Sequence, residues 1–154
     1  MSWSFETDPA YQQELDCVEA FVREEVEPLD HVLGSPYDVT DPGFVKLVRP
    51  LQQRTRARQL WGCHLGADLG GPGYGQVKLA LLNEILGRSA FGPTVFGCQA
   101  PDSGNAEILA HFGTPAQKAR YLQPLLANEI VSCFAMTEPQ GGADPKVLTT
   151  TALR

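Results

Sequence analysis

The chain has 154 residues, 43% of them apolar, and a formal net charge of −6, which suffices for one hydrophobic core of ordinary size. Acids and bases are interspersed rather than blocked, so there is no basic stripe to suit nucleic acid. No apolar run approaches the roughly 20 residues of a membrane span, and Cys17, Cys63, Cys98 and Cys133 show no Cys-x-x-Cys spacing, which reads as free thiols in a reducing, cytoplasmic setting.

Tyr11, Leu15, Val18, Val22, Val26 and Leu29 recur at three- and four-residue steps and predict a helix that starts near Pro9 and fades at Pro28. Asp41-Pro42 offers an N-cap and a first-turn proline for a second helix carrying Phe44, Leu47, Val48 and Leu51, which Pro50 should kink or shorten. Arg54, Arg56 and Arg58 follow as a basic cluster, read as a solvated face. From Gly62 to Gly75 the six glycines and one proline form a loop. Its Gly70-Gly71-Pro72-Gly73 lacks a Gly-Lys-Ser/Thr ending and a preceding β-run, so it is a tight connector rather than a phosphate cradle.

Val77 to Leu86 predicts a central helix apolar on several faces and stopped by Gly87. A loop through Pro93 and Pro101 leads to a helix that Ser103 can cap, carrying Ile108, Leu109 and Phe112 and ending at Gly113. Thr114-Pro115-Ala116-Gln117 reads as a capping box opening a last helix to about Asn128. At Ile130 the pattern turns to a continuous apolar strand through Met136, and Val147 to Leu153, rich in Val and Thr, predicts a second. The expected architecture is therefore mainly α over 1–128, with the first strands of a β-domain over 129–154. Two strands alone leave backbone groups unpaired, so either another polypeptide completes the sheet or the product is truncated.

Between those strands, Met136-Thr137-Glu138-Pro139 followed by Gly142-Ala143-Asp144 resembles the first signature of the acyl-CoA dehydrogenase family, with one departure, Ala143 in place of a hydroxyl residue. Phe21 to Pro28, Leu60-Trp61-Gly62, Leu69 to Gly75 and Asn83 to Ser89 resemble that family's helices and glycine-rich loop. Val95 to Gly113 is similar to the branch that includes long, multidomain members and many bacterial ones.

The resemblance implies an FAD-dependent α,β-dehydrogenation of acyl-CoA thioesters, in fatty-acid or related acyl-CoA catabolism, with electrons passed to an electron-transferring flavoprotein. It implies that Phe134, Ala135 and Met136 pack near the isoalloxazine ring, that Thr137 bonds its pyrimidine edge, and that Gly142 and Ala143 face the diphosphate. Ala143 and Gln99 are the implied acyl-CoA contacts, with Asp102 a second polar probe. The catalytic carboxylate belongs to a later helical domain, so no catalytic residue is expected in these 154, and Glu138 is read as part of the turn. A non-catalytic subunit completing a second chain, or a degenerate fragment, are the alternatives. His31, His64 and His111 are too dispersed to suggest a metal site. Glu6, Asp8 and Glu14 precede the first arginine, contrary to a transit peptide.

Overall fold

The computed structural model describes residues 7–153; Glu6, part of the charge argument about the amino terminus, lies outside them. Helix α1 (Pro9–Phe21) continues through a π turn (Val22–Val26) into a 3-10 segment (Glu27–His31). Asp8 caps it by accepting the Tyr11 N–H at 2.9 Å. All six residues of its predicted stripe are buried, because a three-to-four spacing puts them on one side of the cylinder.

Helix α2 (Pro42–Ala57) begins as expected, with Asp41 accepting the Phe44 N–H at 2.8 Å. Pro50 neither breaks nor shortens it: the residue is exposed, as is Lys46, whose carbonyl loses its helical partner and faces water. Leu47, expected in the core, is 38% exposed. Its place on the inner face is taken by Gln52 and Thr55, both buried.

The glycine-rich loop holds one 3-10 turn (Ala67–Leu69), and a side chain on Gly71 would collide with the Leu65 carbonyl, which explains glycine there by packing. Helix α3 (Gly75–Leu86) buries Leu82, Ile85 and Leu86 while Val77 is exposed, so it packs on one side rather than several. Tyr11 Oη donates to the Lys78 carbonyl at 2.6 Å and joins α1 to α3, and burial, with Glu14 nearby, pushes its hydroxyl up to about 12. Where a loop through Pro93 was expected, a short helix α4 (Gly92–Val95) forms, with Pro93 in its first turn.

Helix α5 is Asp102–Phe112, which places Ser103 inside the helix instead of at its cap. Ile108 and Phe112 are exposed, and only Leu109 of the three expected apolar residues packs inward. Helix α6 (115–126) opens with the predicted capping box at Thr114 and Gln117, and passes through a π turn (Lys118–Leu122). Ala106, Leu122 and Leu125 form a small second core between α5 and α6.

No strand forms among the described residues. Residues 130–136 are extended but unpaired, and part of the second expected strand is a 3-10 turn (Pro145–Val147) capped by Asp144. The one ladder element is an isolated antiparallel bridge between Glu138 and Gly141. An apolar run becomes a strand only when a neighbour takes its backbone hydrogen bonds, and none of the described residues does so.

Two helices end on a non-glycine residue in the left-handed region: Gln59 (φ 60°) after α2 and Asn128 (φ 56°) after α6. Each closes with the paired bonds of a Schellman motif. Gln59 N–H donates to the Arg56 carbonyl and Leu60 N–H to that of Thr55; Asn128 N–H donates to the Leu125 carbonyl and Glu129 N–H to that of Pro124. The two sites predict opposite mutational outcomes. Gln59→Gly should stabilise the chain by about 0.5–1 kcal/mol, because glycine removes the left-handed penalty and Gln59 is exposed. Asn128→Ala should destabilise it by about 2–4 kcal/mol, because it adds that penalty and strips a partner from buried Gln52. Urea unfolding of both variants checks the signs.

Candidate functional site

The signature segment leaves the helical body at a buried polar junction. Asp102, the first residue of α5 and 4% exposed, accepts three hydrogen bonds: the Ser132 N–H at 2.7 Å and hydroxyl at 2.6 Å on Oδ1, and Gln99 Nε2 at 3.0 Å on Oδ2. Asn105 Nδ2 donates to the Ser132 hydroxyl at 2.8 Å. Such donors and the helix N-terminus it occupies meet the hydrogen-bonding needs of a carboxylate buried without a cation. Ser132, which the sequence reading passed over, is thus the anchor two residues before Phe134. A serine in an apolar run was the available signal.

The α6 terminus is fixed from the other side. Trp61 Nε1 donates to the Leu126 carbonyl at 2.9 Å, and Arg56 donates to the Leu126 and Ala127 carbonyls at 3.3 and 3.2 Å while stacking 3.5 Å from the centre of the Trp61 ring. Arg54 forms a two-pronged pair with Glu25. The arginine cluster is therefore partly structural: Arg56 satisfies the last carbonyls of a helix, where a cation is favoured.

Beyond the anchor, Phe134 (64% exposed), Ala135 and Met136 (53%) project outward. The chain then turns at 138–141, with Glu138 and Gly141 exchanging N–H···O bonds at 3.1 and 3.0 Å. This brings Thr137 against Gly142, where a Cβ would lie 2.9 Å from the Thr137 hydroxyl oxygen and 2.8 Å from its methyl. Among the described residues neither Gly142 nor Ala143 donates its N–H to a protein acceptor. The turn thus offers a hydroxyl and two backbone donors beside exposed apolar side chains, which suits a flat heteroaromatic ring with a polar edge.

Glu138 holds the turn closed. Its carboxylate accepts the Thr149 N–H (2.8 Å) and hydroxyl (3.0 Å), the Thr150 N–H (2.8 Å), and Gln140 Nε2. The Thr150 side chain beside it foremost, and then the Thr149 and Thr150 amides, bring its pKa down to about 2.

Gln99 lies apart from the turn. It is 4% exposed and lines a cavity of about 10 Å³ with Trp61, His64, Gly97, Asp102 and Leu125. That volume admits at most one water, so no acyl chain enters it in this conformation. His64, read from sequence as unremarkable, lies half-buried on the same cavity, and burial holds its pKa below the usual imidazole range against the opposite pull of Glu107. A second concavity, of about 1250 Å³, is an open trough elsewhere, walled by α1, the end of α2 and Gly70 to Pro72. It includes none of the signature residues.

Residues 9–129 match the family described as acyl-CoA dehydrogenase, N-terminal domain. The chain belongs to the acyl-CoA dehydrogenase family. It is 38% identical over 138 residues to acyl-CoA dehydrogenase family member 10 of Mus musculus, covering 86% of this chain and 13% of that protein. It is 38% identical to FadE2 of Mycobacterium tuberculosis, covering 79% and 29% respectively. A solved structure of an acyl-CoA dehydrogenase from Mycobacterium abscessus superposes with a TM-score of 0.78 at 32% identity, over 94% of this chain and 38% of that one. The chain thus spans well under half the length of each of these relatives, and the helices are those of the family's amino-terminal domain.

Two outcomes follow from the anchor and the turn. Asp102→Ala should cost about 2–4 kcal/mol, since it strands the Ser132 donors. Asp102→Asn should cost much less, because the Gln99 amide can flip to accept from the new NH₂ group; Ser132 amide exchange measured by NMR distinguishes the two. For Glu138 the folded pKa is depressed, so its contribution is complete above the ordinary glutamate value of 4.5 and is lost as pH falls through about 2. The Thr149 and Thr150 amide shifts should accordingly hold at pH 3 and move only near pH 2.

Proposed function

We propose that this chain forms the amino-terminal part of an FAD-dependent acyl-CoA dehydrogenase, residues 7–128 supplying one wall of the substrate space and 129–153 beginning the flavin-holding middle domain. The observation that carries this reading is the turn that sets the Thr137 hydroxyl and the Gly142 and Ala143 amides beside Phe134 and Met136. In this reading Thr137 donates to the pyrimidine edge of the flavin, the two amides face its diphosphate or the acyl-CoA, and Phe134, Ala135 and Met136 contact the ring. The flavin supplies the two-electron acceptor for α,β-dehydrogenation.

This chain's own residues position and enclose. Asp102 and Ser132 fix where the signature begins, and Gln99 shapes that junction from inside instead of touching ligand. Glu138 has its carboxylate occupied by four donor groups, so it closes the turn and is a poor base. The α-proton of a thioester needs a carboxylate within hydrogen-bond reach. We assign that role to residues outside these 154, in the same or a second polypeptide, with an electron-transferring flavoprotein as acceptor and a cytoplasmic location. No helix among the described residues is long and apolar enough to cross a membrane. The exposed Ile130, Val131, Phe134 and Met136 favour completion by further polypeptide over an independent binding module.

The 154-residue chain alone should elute from gel filtration without FAD, because a ring held from one side forfeits most of its burial. Combined with a polypeptide carrying the remaining domains, it should bind FAD and lose flavin absorbance on adding acyl-CoA. Thr137→Val should then weaken flavin binding or slow that bleaching. Stoichiometric FAD on the isolated chain would overturn the incomplete-site reading, and a reconstituted complex that takes up no flavin would overturn the assignment itself.

A further inference from the structure

The glycine-rich loop and the segment after α4 are pinned together beside α5. Gly62 N–H donates to the Phe96 carbonyl at 2.8 Å, and a side chain on Gly97 would meet the Trp61 ring at 2.5 Å, so the two segments pack directly on each other. His64 follows on the first segment and Gln99 on the second, and both border the cavity of about 10 Å³. Four buried side-chain polar atoms meet no protein partner among the described residues, and three of them belong to this pair: both ring nitrogens of His64, and Gln99 Oε1. The Gln99 oxygen is unmet for a plain reason. Its Nε2 donates to Asp102 Oδ2 at 3.0 Å, and a carboxylate only accepts, so the amide oxygen must face away from Asp102. Gln99 is 4% exposed, which keeps bulk solvent from that oxygen, and a buried acceptor without a donor is costly.

We propose that this cavity is a site for one internal water, which donates to Gln99 Oε1 and bonds a ring nitrogen of His64, and that His64 is thereby a positioning residue for the Asp102–Ser132 junction. The volume suits one water and nothing larger, and an internal water needs roughly two to four polar partners. One proton of the water goes to Gln99. The water also accepts from the His64 N–H, or gives its second proton to the bare ring nitrogen, and Ser103 brings a third hydrogen-bonding side chain to the same space. The neutral imidazole offers both modes, and burial favours that form by lowering the His64 pKa against the opposite pull of Glu107. One polar path then runs from the glycine-rich loop to the start of the signature segment: His64, water, Gln99, Asp102, Ser132. Because water both donates and accepts, it also fits the flipped Gln99 amide that Asp102→Asn would require.

The test uses the 154-residue chain without flavin, so its outcome is independent of the functional assignment. A crystal structure that shows ordered water should place one oxygen within about 3.2 Å of both Gln99 Oε1 and a His64 ring nitrogen. His64→Phe keeps a ring and removes both nitrogens. It should speed amide exchange at Ser132 about tenfold, the loss expected when a buried acceptor loses its partner, while the amides of α1 exchange as before. His64→Gln, which retains a donor and an acceptor, should return the Ser132 rate close to that of the unaltered chain. Circular dichroism checks that both variants fold, and His64→Leu serves the same comparison if His64→Phe does not. An empty cavity, a direct His64–Gln99 hydrogen bond in place of the water, a Ser132 rate that loss of the imidazole leaves unchanged, or no rescue by His64→Gln would each overturn the proposal.

Discussion

The chain can leave its helical domain in one direction only because Asn128 turns left-handed inside the protein. At φ 56° and 1% exposure it ends α6, and its side-chain oxygen accepts a 2.8 Å bond from Gln52 Nε2 on α2. Asparagine tolerates this backbone region better than most residues, and its amide supplies what a glycine would lack, a partner for a buried glutamine. Gln52 spends its other donor on the Thr94 carbonyl at 3.0 Å. One side chain therefore ties the middle of α2 to the ends of both α4 and α6.

Around that tie the inner face of α2 is polar where a helix of a simple bundle would be apolar. Thr55 Oγ1 lies 2.8 Å from the Val95 carbonyl, so the last carbonyls of α4, too short a helix to satisfy its own, are met by Gln52 and Thr55. Networks of this kind are specific about geometry because each buried polar group needs a placed partner; here Asn128 Nδ2 alone of the Gln52 and Asn128 side-chain groups meets none among the described residues. Apolar contacts alone would let α4 and α6 slide. The exact exit of residues 129–133 depends on their not sliding, with Arg56, Trp61 and Asp102 completing the hold.

The functional consequence is a division of labour along the chain. A rigid helical body delivers an exposed turn at a set position, and the turn is shaped locally by Glu138 and by the contact of Thr137 with Gly142. Phe134 and Met136 remain outside, as expected of side chains whose packing partners lie on other elements. Under the proposed function further domains close over this segment, so the part that carries it should hold its shape before the rest arrives. The body is well packed enough for that, with Val22, Val26, Val48, Leu82, Leu86 and Val95 fully buried.

Local chemistry made much of this legible in advance. The three-to-four spacing of the α1 stripe, the Asp41-Pro42 start and the Thr114 to Gln117 capping box depend on residues within one or two turns of each other, and all are found as read. The family signature is likewise a contiguous run. Reading failed where a residue's fate is decided by what packs on it: Leu47, Ile108 and Phe112 have core chemistry but face outward, and Gln52, Thr55 and Asn128 have surface chemistry but lie inside. Strand formation over 130–136 failed as an expectation for a related reason, since a β-ladder needs a second strand and apolar character specifies none. The sequence by itself determined the five longer helices, the caps at Asp41 and Thr114, and the family. Only the tertiary structure decided which polar groups meet in the interior and that Asp102 anchors Ser132, because those pairings are made across loops whose path no local pattern encodes.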